Sequence, residues 1–200
     1  MLFESQIHDL KQLLPWVRIR KEQANLRNIT AQKRRLLTPE EVAEQSALII
    51  AQLEQMTLFR EAQTVLLYYP IRNEVDLRPL LAKYDGQKTF LFPVTHRHGM
   101  EVRPYDGEDT MRKGRLGVPE PQTATFKGHI DLMIVPGVVF DRHRHRIGRG
   151  GGYYDKFLAK YPLVPKIGVC YSFQLQHHDI PHTWRDRKMD CVVTPQSTIE

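Results

Sequence analysis

Asp131–Tyr161, DLMIVPGVVFDRHRHRIGRGGGYYDKFLAKY, is the stretch on which the fold turns. It opens with a short apolar run, Asp131–Phe140, that reads as a strand. A basic, glycine-rich loop follows, and it leads into an amphipathic segment whose Tyr154, Phe157, Leu158 and Tyr161 mark one helix face. The same alternation continues on both sides. Apolar runs at Thr64–Tyr69, Thr89–Val94, Lys166–Tyr171 and Asp190–Thr194 read as further strands, with helical candidates at Asp76–Tyr84 and Tyr153–Tyr161 between them. Strands alternating with helices produce a largely parallel sheet covered on both faces, so the fold class is α/β. Arg97–Lys127, rich in Gly, Pro and charge, reads as a loop or a small antiparallel excursion.

Upstream, residues to Pro15 have Leu2, Phe3, Ile7, Leu10 and Leu14 at helical spacing, and Lys21–Leu37 reads as a second, basic helix with an apolar edge at Leu26, Ile29 and Leu36. Thr38-Pro39-Glu40-Glu41 starts another helix: Thr38 caps it, Pro39 suits its first position and Glu41 completes a capping box. Val42, Ile49, Leu53 and Met56 supply its buried stripe. We divide the chain into an N-terminal helical extension, 1–20, and a single α/β domain, 21–200, a size that one core can serve.

With 41% hydrophobic and 26% charged residues the chain lies outside the disordered class. Its net charge of +6 favours anionic partners without choosing among them. The two cysteines, Cys170 and Cys191, lie in apolar runs without CxxC spacing, which argues against a disulfide framework or a zinc site and for buried thiols in a reducing cytoplasm. The start of the sequence carries acidic residues and no uninterrupted apolar run, so neither a signal peptide nor a membrane span is expected.

The chemistry concentrates in the glycine loop. Gly148, Gly150, Gly151 and Gly152 before a helix can aim several backbone N–H groups at a phosphate, with Arg146 and Arg149 adding charge. The loop lacks the lysine and hydroxyl ending of a Walker A motif, and its spacing differs from GxGxxG. A tight turn would also explain three consecutive glycines. Asp155 beside a phosphate cradle suits a bridging Mg²⁺, although stabilising the positive helix end accounts for it equally.

RIGRGGGYYDKFL, together with LRNITAQKRRLLTPEE, YYPIRNEVDLRPLL, GVPEP and MDCVVT in that order, closely resembles the 5-formyltetrahydrofolate cyclo-ligase family over nearly everything after about residue 20. The resemblance implies a three-layer α/β sandwich, Rossmann-like, with a mostly parallel sheet and helices on both faces. It implies ATP-dependent closure of 5-formyltetrahydrofolate to 5,10-methenyltetrahydrofolate, with ATP as co-substrate and Mg²⁺ as cofactor. Carried over residue by residue, it assigns ATP binding to Arg27 and to the loop Arg146, Ile147, Gly148, Arg149, Gly150, Gly151, Gly152, Tyr153 and Tyr154. Folate falls to Tyr69, Glu74 and the same loop from Arg149 to Tyr153, Mg²⁺ to Asp155 and Asp190, and catalysis to Arg149 and Tyr153. By itself Asp190 would be a routine strand-edge aspartate and Glu74 an ordinary loop charge. The sequence departs from the family at Gln23, where many relatives carry a lysine four residues before the arginine matched by Arg27.

Arg142-His143-Arg144-His145 reads as a solvated basic turn, and His177-His178 and His96/His98 as surface or capping residues. Tyr68, Tyr69, Tyr153 and Tyr154 read as core or pocket packing rather than as a nucleic-acid stacking platform. The partners expected are therefore ATP and reduced folate, bound by a cytoplasmic monomer, with no nucleic acid and no membrane.

Overall fold

No glycine and no capping residue with a following box separates Pro15 from Arg35, and the chain accordingly stays helical through the proline. In the computed structural model, which describes the backbone of Leu2–Glu200 and the side chains from Pro15 onward, one helix, α1 (Leu2–Arg35), replaces the two expected. The apolar stripe expected on Leu2–Leu14 concerns side chains outside the described residues. Farther along α1 the expected apolar edge is only partly realised: Leu26 packs against Val138, Val139, Ile147 and Ile180, whereas Ile29 and Leu36 are exposed. Thr30 and Arg34 are buried in their place, and Arg34 meets the buried Glu74 there.

Both halves of the Thr38 capping box form. Glu41 donates its N–H to Thr38 Oγ1 at 3.2 Å, and Glu41 Oε2 accepts the Thr38 N–H at 2.8 Å, an arrangement worth about 1 kcal/mol. α2 (Pro39–Gln55) follows, then α3 (Thr57–Glu61), β1 (Thr64–Leu66), α4 (Pro79–Lys83), β2 (Thr89–Thr95) and β3 (Met100–Pro104). The Gly- and Pro-rich excursion contains an antiparallel hairpin, β4 (Met111–Lys113) with β5 (Pro119–Pro121). The apolar run from Asp131 breaks at Pro136-Gly137, a strand-breaking pair, into β6 (Leu132–Pro136) and β7 (Val139–Asp141). After them come β8 (Arg146–Ile147), α5 (Tyr153–Leu158), β9 (Lys166–Val169), β10 (Leu175–Gln176), β11 (Cys191–Val193) and β12 (Thr198–Ile199).

The large sheet has the order β12-β11-β9-β6-β1-β2-β3; its five inner strands are parallel and its two edge strands antiparallel. Period-two burial divides the core into two layers. Val65, Leu67, Phe90, Phe92 and Ile134 face Ile49, Leu53, Phe59 and Leu80 on one side. Leu66, Leu91, Met133 and Val135 face Phe157 and Leu158 of α5 on the other. The result is the expected three-layer α/β sandwich. Two aspartates tie neighbouring strand starts together: Asp131 Oδ2 accepts the N–H groups of Gln63 and Thr64, and Asp190 Oδ2 accepts the Lys166 N–H at 2.7 Å. Among the described residues no helix is long and apolar enough to cross a membrane.

Candidate active site

From β1 the chain moves outward on one side to β2 and later returns on the other side with β6, so the strand order reverses between β1 and β6. Open parallel sheets leave a crevice at such a point, beyond the carboxyl ends of the strands. A cavity of about 480 Å³ lies there, lined by Tyr68 and Tyr69 after β1, Thr95 at the end of β2, and Pro136 and Gly137 at the end of β6. Arg27 of α1 and the whole loop from Arg146 to Asp155 close a second side.

Gly150 (φ +100°) and Gly152 (φ +65°) give the loop its course, since residues with a Cβ seldom adopt these angles. The helix after it is shorter than expected, six residues instead of nine, so the loop itself carries most of any anion-binding geometry. Three contacts fix the loop. Arg27 Nε donates to the Gly148 carbonyl at 2.7 Å, Arg146 Nη2 donates to Asp155 Oδ1 at 2.9 Å, and Arg149 pairs with Glu74. Gln23 accepts a 3.0 Å bond from Arg27 and donates to the Pro181 carbonyl at 2.9 Å, so the departure at this position leaves a residue that orients Arg27. Burial holds the Arg27 guanidinium below its usual pKa, with Asp186 opposing.

Glu74 is buried between two arginines. Arg34 approaches Oε1 from α1 at 3.4 Å, Arg149 comes from the loop, and Oε2 accepts the Ile71 N–H at 3.2 Å. Burial lowers the Arg34 pKa, Glu74 opposes that and Arg149 adds to it. The hydroxyl of Tyr154 and the Nε atoms of Arg34 and Arg146 are buried without hydrogen-bond partners, and burial raises the Tyr154 pKa strongly.

The cavity thus collects Arg27, Tyr69, Glu74 and every residue from Arg146 to Asp155. Asp190 is the one predicted site residue outside its lining: it precedes β11, at the strand-start end of the sheet, and its carboxylate is engaged by Lys166. Asp155 keeps Oδ2 free of hydrogen bonds among the described residues, while Oδ1 also accepts the Arg187 N–H at 3.2 Å. No group of three or more His, Cys, Asp or Glu side chains is arranged for a metal among the described residues. A Mg²⁺ held chiefly by phosphates and water needs only one or two carboxylates, and Asp155 fits that description.

Sequence reasoning missed Arg34, Thr95, Glu120 and Asp186. Arg34 was within reach, because it lies seven residues after Arg27 and so on the same helix face. The basic turn at 142–145 is less solvated than expected. Asp141 is fully buried and accepts the N–H groups of His145 (2.9 Å) and Ile180 (3.0 Å); His145 Nδ1 lies 3.1 Å from it, and the His145 ring stacks on His182 at 3.7 Å. Asp141 thereby anchors the chain just before the loop.

A glycine loop with arginines, placed at the switch point of a parallel sheet and facing an apolar recess, marks the chain as an α/β fold with a ligand-sized crevice at the carboxyl ends of its strands. The 5-formyltetrahydrofolate cyclo-ligase family model matches residues 19–195, and the chain belongs to that family. It is 30% identical over 178 residues to a Schizosaccharomyces pombe protein described as "Probable 5-formyltetrahydrofolate cyclo-ligase", covering 79% of this chain and 87% of that one. The solved 5,10-methenyltetrahydrofolate synthetase of Aquifex aeolicus superposes with a TM-score of 0.78 at 31% identity, over 88% of this chain and 91% of that one. The Mycoplasma pneumoniae synthetase gives 0.70 at 26% identity, over 86% and 98%.

Proposed function

We propose that this chain cyclises 5-formyltetrahydrofolate to 5,10-methenyltetrahydrofolate with ATP, releasing ADP and phosphate. The observation that carries the reading is that the loop by which the chain resembles its family, Arg146–Asp155, shares one cavity with Arg27, Tyr69 and Glu74. A formamide oxygen is a poor leaving group, so it must first be activated. The formyl oxygen bonds to the γ-phosphorus as the bond to ADP breaks. N10 then bonds to the formyl carbon and gives up its proton, and the carbon–oxygen bond breaks to release phosphate.

Such a transfer asks the protein for positioning and charge neutralisation, not for a covalent nucleophile. The backbone N–H groups of the glycine loop and the guanidinium groups of Arg146 and Arg149 hold the phosphates, and Arg27 keeps the loop in place. Glu74, retained from behind by Arg34 and the Ile71 N–H, accepts hydrogen bonds from the folate when Arg149 turns to phosphate. Tyr153 and Tyr69 flank the reacting group. Asp155 would hold Mg²⁺, whose charge would neutralise the phosphate oxygens during transfer. Asp190 is left with its strand-tying role. We also place the enzyme in the cytoplasm, which the buried free thiols Cys170 and Cys191 support, and take it to act as a monomer without nucleic-acid partners.

The test mixes the protein with 5-formyltetrahydrofolate, Mg²⁺ and ATP and follows the methenyl absorbance band. Growth of the band only with ATP, and a fall of at least about a hundredfold in Asp155→Asn, is the expected result. ATP binding without any growth of the band refutes the reading.

A further inference from the structure

Opposite the glycine loop the cavity is closed by the β4–β5 hairpin, and its one buried charged group there is Glu120 of β5, 5% exposed. Glu120 Oε1 accepts the Thr95 N–H at 3.0 Å and the Thr95 hydroxyl at 2.7 Å. Oε2 takes no hydrogen bond, and no cationic side chain lies within ion-pair distance of the carboxylate, among the described residues. The group rests against the backbone of Gly114, where any side chain would overlap it. Its cavity neighbours Pro93, Met100, Leu116 and Val118 are apolar. A buried carboxylate with one occupied oxygen, no counter-charge and apolar flanks is costly unless a ligand brings donors to it.

We propose that Glu120 binds the pyrimidine edge of the reduced pterin, accepting from its exocyclic 2-amino group and N3–H. This assignment rests on the cyclo-ligase reading and selects among that reaction's own groups. Phosphates and the glutamate tail are anionic and repelled. Adenine offers one amino group flanked by acceptor nitrogens. Only the pterin presents two donors side by side on a flat ring whose faces suit apolar walls. N5 lies in the other ring of the pterin, away from the 2-amino group, so anchoring the pyrimidine end at the hairpin turns the formyl group toward Arg149 and Tyr153. Arg115, on the same hairpin, donates to the Tyr153 hydroxyl at 2.8 Å, so the hairpin and the loop are in contact there.

The test measures calorimetric binding and steady-state kinetics of the full chain with 5-formyltetrahydrofolate and with its 2-desamino analogue. Wild type should bind the parent folate about ten- to a hundredfold more tightly than the analogue. Glu120→Gln should lose that preference through a raised KM and Kd for folate, with kcat changed less than tenfold and ATP affinity within about twofold. The analogue comparison is made on wild type, so it stands whether or not the variant folds. Equal affinity of wild type for the two folates, with the parent still cyclised, overturns the role of Glu120 alone. Binding of neither folate overturns the cyclo-ligase reading and this proposal with it.

Discussion

The two walls of the cavity are built on opposite principles. The loop wall is nearly contiguous in sequence, Arg146 to Asp155, and is held by charge: Arg146 to Asp155, Arg149 to Glu74 to Arg34, and Arg27 to the Gly148 carbonyl. The hairpin wall draws Thr95 from β2, Met100 from β3, and Leu116, Val118 and Glu120 from the hairpin, and it has a single carboxylate among apolar groups. One wall suits the spread negative charge of a phosphoryl group in transfer; the other suits a flat ring that must be oriented. Transition-state charge acts on kcat, whereas ground-state orientation acts mainly on KM, so substitutions in the two walls should separate kinetically.

The largest effect belongs to the loop wall. Arg149→Met keeps much of the side-chain volume and removes the guanidinium that faces both Glu74 and the proposed phosphate position. We expect kcat to fall by about a hundredfold or more, with the KM for folate changed far less, in the methenyl absorbance assay. A change confined to the folate KM would break the division between the walls. Arg115→Ala tests the contact that joins them. Arg115 is an exposed residue bonding to Tyr153, and its loss should raise the folate KM about threefold while kcat stays within twofold. A hundredfold loss of kcat in that variant would make the hairpin part of the chemical step.

The same contrast explains what could be read from the sequence. The loop wall was legible because its chemistry is local: four glycines, two arginines and an aspartate stand within ten residues, and the strands around it show apolar runs of ordinary length. The hairpin wall was not, because Thr95 and Glu120 meet only through the pairing of distant strands, and neither residue type signals a site alone. Asp190 shows the converse. An aspartate opening a strand can serve a ligand or tie the next strand, and the bond it accepts from the Lys166 N–H could not be read from the sequence. Helix α1 departs from its pattern for a related reason: Arg34 on its inward face pairs with the buried Glu74, distant in sequence, so Thr30 and Arg34 are buried where apolar periodicity pointed to Ile29 and Leu36.

Acid should loosen the loop wall before the hairpin wall. Burial alone would raise the Asp141 carboxyl, but the N–H groups of Ile180 and His145 and the His145 ring outweigh it and hold its pKa below the usual carboxylate range. A depressed folded-state pKa means stability that is present above the unfolded value, about 3.9, and lost as the pH falls through the folded one. Asp141→Asn leaves donors facing an amide group that can accept fewer bonds. It should therefore cost about 2 kcal/mol in urea unfolding near pH 7. As the pH falls through the folded-state pKa and the wild-type carboxyl is itself protonated, the difference should shrink to a few tenths of a kcal/mol. Because Asp141 anchors the chain before Arg146 and touches none of the reacting groups, activity at neutral pH should stay within about threefold of wild type. A stability gap that persisted unchanged into acid would show that Asp141 acts through packing alone, and the loop wall would then be no more dependent on charge than the hairpin opposite it.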